Sequence, residues 1–190
     1  MADLHIAQEE GADRVLSQDP FALLSGMLLD QQFPMERAFA GPAKILERFG
    51  SLDPADVAAA APERFAELCS TPPAVHRFPG SMAARIQALA AHVVSEYDGR
   101  TERIWEGAAS GKELLRRLLA LPGFGKQKAQ IFVALLGKQL GVRPDGWAEV
   151  AGAYAEPNSV RSVADVVDPD SLEKVRTFKK QQKAAARRTS

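Results

Sequence analysis

Cysteine is almost missing from this chain: Cys69 is the only one. That excludes an internal disulfide, a Cys-rich zinc site and an iron-sulfur cluster held by four cysteines. Histidine is scarce too. His5, His76 and His92 stand too far apart for a local ligand motif such as H-E-x-x-H, so no protein-held metal is expected. No apolar run approaches bilayer-spanning length, and the opening MADLHIAQEEGADR has neither a basic n-region nor an apolar h-region. A cytoplasmic protein with no membrane partner is therefore expected. There is no internal repeat of fixed period, no low-complexity core segment and no strand-like alternation.

What the chain does have is enough apolar sequence to fold. With 190 residues, 46% hydrophobic and 25% charged, it lies in the range of globular domains and can bury a core unaided. Its formal net charge of zero conceals an asymmetry. Lys174 to Ser190 hold seven basic residues and no acid, whereas residues 1 to 173 carry 17 basic against 24 acidic ones. A second basic zone, Lys112 to Arg143, has seven basic residues and the single acid Glu113. Two positive zones on an otherwise acidic chain point to a polyanion contacted at defined places. For the C-terminal zone alone, a solvated, disordered tail is the better explanation of the charge.

The apolar period is helical, which predicts an all-α fold. Ser17 and Pro20 mark a helix start, followed by Phe21, Leu23, Leu24, Met27 and Leu28 on one stripe. Pro34 makes Gln31-Gln32-Phe33 a turn before the next helix. Asp53-Pro54 and Pro62 open two more, and Thr71 to Pro73 is a break. Ser81 to Tyr97 is the cleanest amphipathic stretch, ended by Asp98-Gly99. Lys112 to Ala120 and Lys126 to Leu140 form two helices separated only by Leu121-Pro-Gly-Phe-Gly125. A last helix from Ser171, capped by Asp170 or Ser171, is expected to fray into the basic tail. Met27, Cys69 and Met82 are assigned to packing.

The segment Leu121 to Ala129 carries the most chemistry. Gly123 and Gly125 flank Phe124, which permits positive φ and removes the Cβ atoms that would keep a ligand from the amides opening the second helix. It is not a Walker A loop, because Ala120 stands where the first glycine belongs and Gln127 follows Lys126. Nor is it a dinucleotide fingerprint, since Lys128 replaces the third glycine and no strand precedes it. A tight turn between helices followed by Lys126 and Lys128 suits a nucleic-acid backbone, although LPGFG alone also fits an ordinary αα-turn.

This segment resembles the helix-hairpin-helix (HhH-GPD) superfamily of base-excision DNA glycosylases, which includes endonuclease III, MutY, the 8-oxoguanine glycosylases and the alkylbase glycosylases. Members follow the hairpin with a Gly/Pro-bearing loop and a catalytic aspartate, matched here by Gly141-Val-Arg-Pro-Asp145. Asp145 lies 18 residues beyond Gln127, the endonuclease III spacing. Leu28-Leu-Asp-Gln-Gln32 resembles the segment whose glutamine wedges into the duplex, and Val75 to Tyr97 the helix pair before the hairpin. The resemblance covers about Pro20 to Tyr154.

It implies a two-lobed fold, with residues 20–137 as the hairpin lobe, 1–19 plus 138–173 as a second lobe, and 174–190 as a basic helix end. The active-site cleft would lie between the lobes. It also implies a DNA repair enzyme acting as a monomer on lesion-containing double-stranded DNA, cytoplasmic and nucleoid-associated. No cofactor is expected beyond a monovalent cation at the hairpin when DNA is bound, and no iron-sulfur cluster, because the usual cysteines are absent. Gly123, Phe124, Gly125, Lys126, Gln127, Lys128 and Gln32 would contact DNA.

Relatives that also cut the backbone carry a lysine at position 127, because a neutral amine must attack C1′ to form a Schiff base. Gln127 cannot, and Lys126 and Lys128 point about 100° away from it on the helix. A glycosylase without lyase activity follows. Departure of the base builds positive charge on the deoxyribose, which Asp145 would stabilise. Asp145 is equally suited to cap a helix starting there. Phe33, His76 and Trp147 are the base-pocket candidates, with Phe78 and Tyr154 behind them, and each could instead be core. No residue matches one base edge, so alkylated, mismatched and oxidised bases are all compatible, with alkylated or otherwise labile bases favoured. The competing readings are a noncatalytic hairpin DNA-binding protein, which needs no carboxylate, and a helical interaction protein, which leaves the hairpin unexplained.

Overall fold

The computed structural model describes residues 2–190, and among these the structure is helical with no strand. Ten helices follow one another: α1 Glu10–Gln18, α2 Pro20–Leu29, α3 Met35–Phe49, α4 Pro54–Ala59, α5 Pro62–Ser70, α6 Pro79–Tyr97, α7 Gly111–Leu119, α8 Lys126–Gln139, α9 Trp147–Ala151 and α10 Pro169–Arg188. Single 3-10 turns occupy Thr101–Ile104, Gly152–Ala155 and Val163–Asp165. Helices α2, α4, α5, α6 and α10 open on proline, where the missing N–H is no loss because first-turn amides lack an intrahelical partner.

Several boundaries differ from the sequence reading for identifiable reasons. Asp19, not Ser17, caps α2: its Oδ1 accepts from the amides of Phe21 and Ala22 at 2.8 and 3.0 Å. Ser17 lies inside α1, where its hydroxyl accepts from the Leu4 amide at 3.0 Å and ties the N-terminal segment down. Helix α10 starts at Pro169 under a reciprocal cap between Asp168 and Ser171. It continues through Arg188 instead of fraying, since Gln, Lys, Ala and Arg are all strong helix formers.

Two helices organise the core. Every residue of α2 from Phe21 to Leu29 is buried, so it is apolar on all faces rather than along a stripe. Helix α8 is nearly as enclosed, with Ala129 and Ile131 to Gly137 buried. Helices α1, α3 and α6 and the Thr101–Ile104 turn pack on α2, while α7, α9 and the Val163–Asp165 turn pack on α8. Helix α1 thus sits with α2 and α3, unlike the expected grouping of residues 1–19 with 138–173. Met27, Cys69 and Met82 are buried.

Close approach at two glycines fixes how α9 lies. A Cβ on Gly111 would come within 2.6 Å of the Gly146 carbonyl and the Trp147 amide, and one on Gly137 within 2.3 Å of the Trp147 ring. Backbone cannot move aside as a side chain can. Gly111→Ala is therefore expected to destabilise the fold by about 1–3 kcal/mol, despite alanine's better helix propensity. Gly80→Ala, in α6 with open space around it, is expected to stabilise by up to about 1 kcal/mol. Urea unfolding of both variants checks this; an unchanged midpoint for Gly111→Ala would contradict the packing.

Candidate nucleic-acid interface

The hairpin joins α7 to α8 through residues 120–125. Gly123 has φ +84°, a conformation that favours glycine, and a Cβ there would strike Leu28 Cδ1 at 2.5 Å. Gly125 is different: its backbone is extended (φ −83°, ψ 179°), and a Cβ would meet nothing within 4 Å. Only Gly123 needs glycine for backbone reasons. At Gly125 the missing side chain leaves open space before the first turn of α8, which no side chain caps, so those amides are available to an anion. Phe124 turns inward, 5% exposed and edge-on to Phe132, and anchors the hairpin. Lys126 and Gln127 are exposed, and Gln127 donates its amide N–H to the Tyr154 hydroxyl at 3.1 Å.

The turn after α2 is held from several sides. Gln31 donates from Nε2 to the Leu28 carbonyl at 2.7 Å and accepts from Arg85 at 3.2 Å. Gln32 has φ +51°, is exposed, and its side chain makes no hydrogen bond among the described residues. Such a left-handed non-glycine residue projecting from a braced turn suits a wedge. His76 is the brace. The Phe78 amide donates to its Nδ1 at 3.0 Å, so Nε2 carries the proton and donates to the Gln31 carbonyl at 2.8 Å. With both nitrogens used and 2% exposure, His76 positions the turn and has no edge left for a base. Phe33 packs at a tilt against its ring, 4.8 Å between centroids.

Lys128 connects the two motifs. Its Nζ donates to the Leu28 carbonyl at 2.8 Å, which that oxygen shares with Gln31. Burial pushes its pKa down to about 8, opposed by the nearby Asp30 carboxylate. Lys128 therefore turns toward the end of α2 instead of outward toward a phosphate. Asp30 is itself buried, which raises its pKa against the pull of Lys179 and Lys128. Lys179, from α10, stands 3.8 Å away.

Asp145 is not at this site. Its carbonyl accepts from the Gly111 amide at 2.7 Å, at the start of α7, and Trp147 stacks on Gly137 near the end of α8. Ten residues separate Gln127 from Gly137, about 15 Å along the helix. From there α9 runs back along α8: Gln130 reaches the Val150 carbonyl, and Tyr154 reaches Gln127. Asp145 does not cap α9 either, since Gly146 precedes it and no side-chain cap is made. Trp147 lies under Arg143, 5.6 Å from guanidinium to ring, and serves packing. Sequence reasoning missed Asp30, Arg85 and Lys179. Asp30 adjoins Gln31 and carried a signal in that position; Lys179 is too distant in the chain to have carried one.

Fold and site together define a helix-hairpin-helix protein built to hold nucleic acid. The model of the HhH-GPD superfamily base excision DNA repair protein matches residues 25–190, and the chain belongs to that superfamily, whose members are generally DNA glycosylases acting on DNA. No significant match was found among curated proteins or among solved structures.

Burial of His76 lowers its pKa, helped by Lys128 and Arg85 and opposed by the carbonyls of Gln31 and Leu29. The unfolded chain then takes up this proton first, at about pH 6.5. Its contribution is present above that pH and lost on acidification through the lower folded value, by at most about 1.4 kcal/mol per pH unit. Asp13, Asp19 and Asp30, whose pKa values burial raises, have the opposite sign. His76→Gln, which keeps a donor, is expected to flatten the fall in stability below pH 6.5. Thermal unfolding from pH 5 to 8 tests this, and an unchanged profile would contradict it.

Proposed function

We propose that the protein grips duplex DNA across the hairpin and the Gln31–Phe33 turn and hydrolyses the N-glycosidic bond of a damaged base without cutting the backbone. The observation that carries the reading is the shared Leu28 carbonyl, which joins an open helix N-terminus to the turn bearing the free Gln32. One element suits the phosphates; the other suits the gap left by an extruded base, which offsets an unstacking cost of a few kcal/mol. Position 127 holds an amide, bonded to Tyr154, so no amine stands there to form a Schiff base.

The reading also narrows the lesion. With the Asp145 backbone tied to Gly111 at the start of α7, and Trp147 packed on Gly137 near the far end of α8 from Gln127, little carboxylate stabilisation is expected for a developing sugar cation at the hairpin. Such a site suits bases that are already good leaving groups, alkylated purines bearing positive charge above all. The same separation favours a second reading, a noncatalytic DNA-binding member of the superfamily.

Duplexes containing one 7-methylguanine, 3-methyladenine, uracil or 8-oxoguanine separate the two. The expected outcome is release of alkylated purines, strands that break only after alkali, no adduct on borohydride treatment, and an Asp145→Asn rate within about threefold of wild type, less than 1 kcal/mol. Tight binding with no base released from any duplex would establish the second reading. Abolition of release by Asp145→Asn, with binding intact, would contradict the geometry.

A further inference from the structure

The C-terminal half of α10 has no role in the fold. Leu172 and Val175 bury its first turns, and two ion pairs fasten it beside the turn: Arg176 to Glu36 and Lys179 to Asp30. Asp30 immediately precedes Gln31. Beyond Lys179 every residue is exposed, there is no acid, and nothing apolar larger than alanine occurs. At 100° per residue, Arg176, Lys180, Lys183 and Arg187 fall within an arc of about 60°. The stripe thus continues the face by which Arg176 meets Glu36, on the side of the wedge turn.

We infer that this half-helix is a rail for the phosphates of the duplex flanking the extruded base. Charge complementarity and its anchoring at Asp30 select this partner. Insertion into a membrane interface would require an apolar face, and the alanines provide none. From Lys179 to Arg188 the helix advances about 14 Å, or about four base pairs. The contact is sequence-independent and adds affinity on one flank only. The inference rests on the proposed placement of DNA at the hairpin.

The test compares wild type with a variant carrying Lys180→Gln, Lys183→Gln, Arg187→Gln and Arg188→Gln, both verified as folded by circular dichroism, on a 24-base-pair duplex with a central abasic analogue. Fluorescence anisotropy is read from 50 to 200 mM salt. The slope of log affinity against log salt is expected to shrink by about 2–4 in the variant. Trimming one flank to two base pairs should reduce wild type to the variant's affinity, and trimming the other should not. An unchanged slope, or equal loss from either flank, overturns the rail, as does wild-type capture by phosphatidylserine vesicles with the DNA slope unaltered. A Lys126→Gln, Gly125→Val variant locates failure: binding lost there but untouched by the α10 changes leaves the hairpin reading standing, whereas wild type that binds no duplex overturns both.

Discussion

One carbonyl oxygen organises the face proposed to meet DNA. Leu28 lies in the last turn of α2, where carbonyls have no helical partner, and its oxygen receives both the Gln31 amide and the Lys128 ammonium. A cation at a helix C-terminus is favourable by dipole as well as by hydrogen bond. Here it also joins segments a hundred residues apart, with Gly123 resting on the Leu28 side chain beneath it. Without this link, the hairpin and the wedge would be separate loops on separate helices.

The rest of the site is arranged around that joint. Because α2 and α8 are buried on nearly every face, their ends cannot shift without opening the core, and the turn inherits their rigidity. His76 and Arg85 hold Gln31, and the exposed Gln32 beside it is the side chain proposed to enter a duplex. Asp30 is affordable in so buried a place only because Lys128 and Lys179 face it, and Lys179 brings α10 to the same corner. The proposed DNA-binding face thus draws on three chain regions: the end of α2, the start of α8 and the middle of α10.

Local chemistry was readable in the sequence; the path of the chain was not. Proline and glycine announced the hairpin, the turn at Gln31–Phe33 and most helix starts, because those residues act through their own backbone. His76 read as a possible base contact because nothing nearby in sequence reveals that Gln31 and Phe78 occupy both its nitrogens. Asp145 had the right spacing from Gln127, but residue count measures chain length and not destination. The fourteen-residue α8 carries the chain away from the hairpin, and Trp147 pins it against Gly137, so Tyr154 and not Asp145 returns to Gln127. Lys128 looked like a phosphate ligand because outward and inward lysines are indistinguishable in a basic run. Membership of the superfamily, by contrast, rested on the order of motifs, which survives such local departures.

The claim that Lys128 acts through the turn and not on the phosphate can be tested by a double-mutant cycle. Binding of an abasic-site duplex is measured for wild type, Lys128→Met, Gln32→Ala and the pair. The account predicts that the two losses overlap, with a coupling of about 1 kcal/mol or more, and that Lys128→Met leaves the salt slope unchanged. Additive losses, together with a slope smaller by about 0.9 as for one lost phosphate contact, would show the lysine gripping DNA directly and would dissolve the joint on which this description of the site depends.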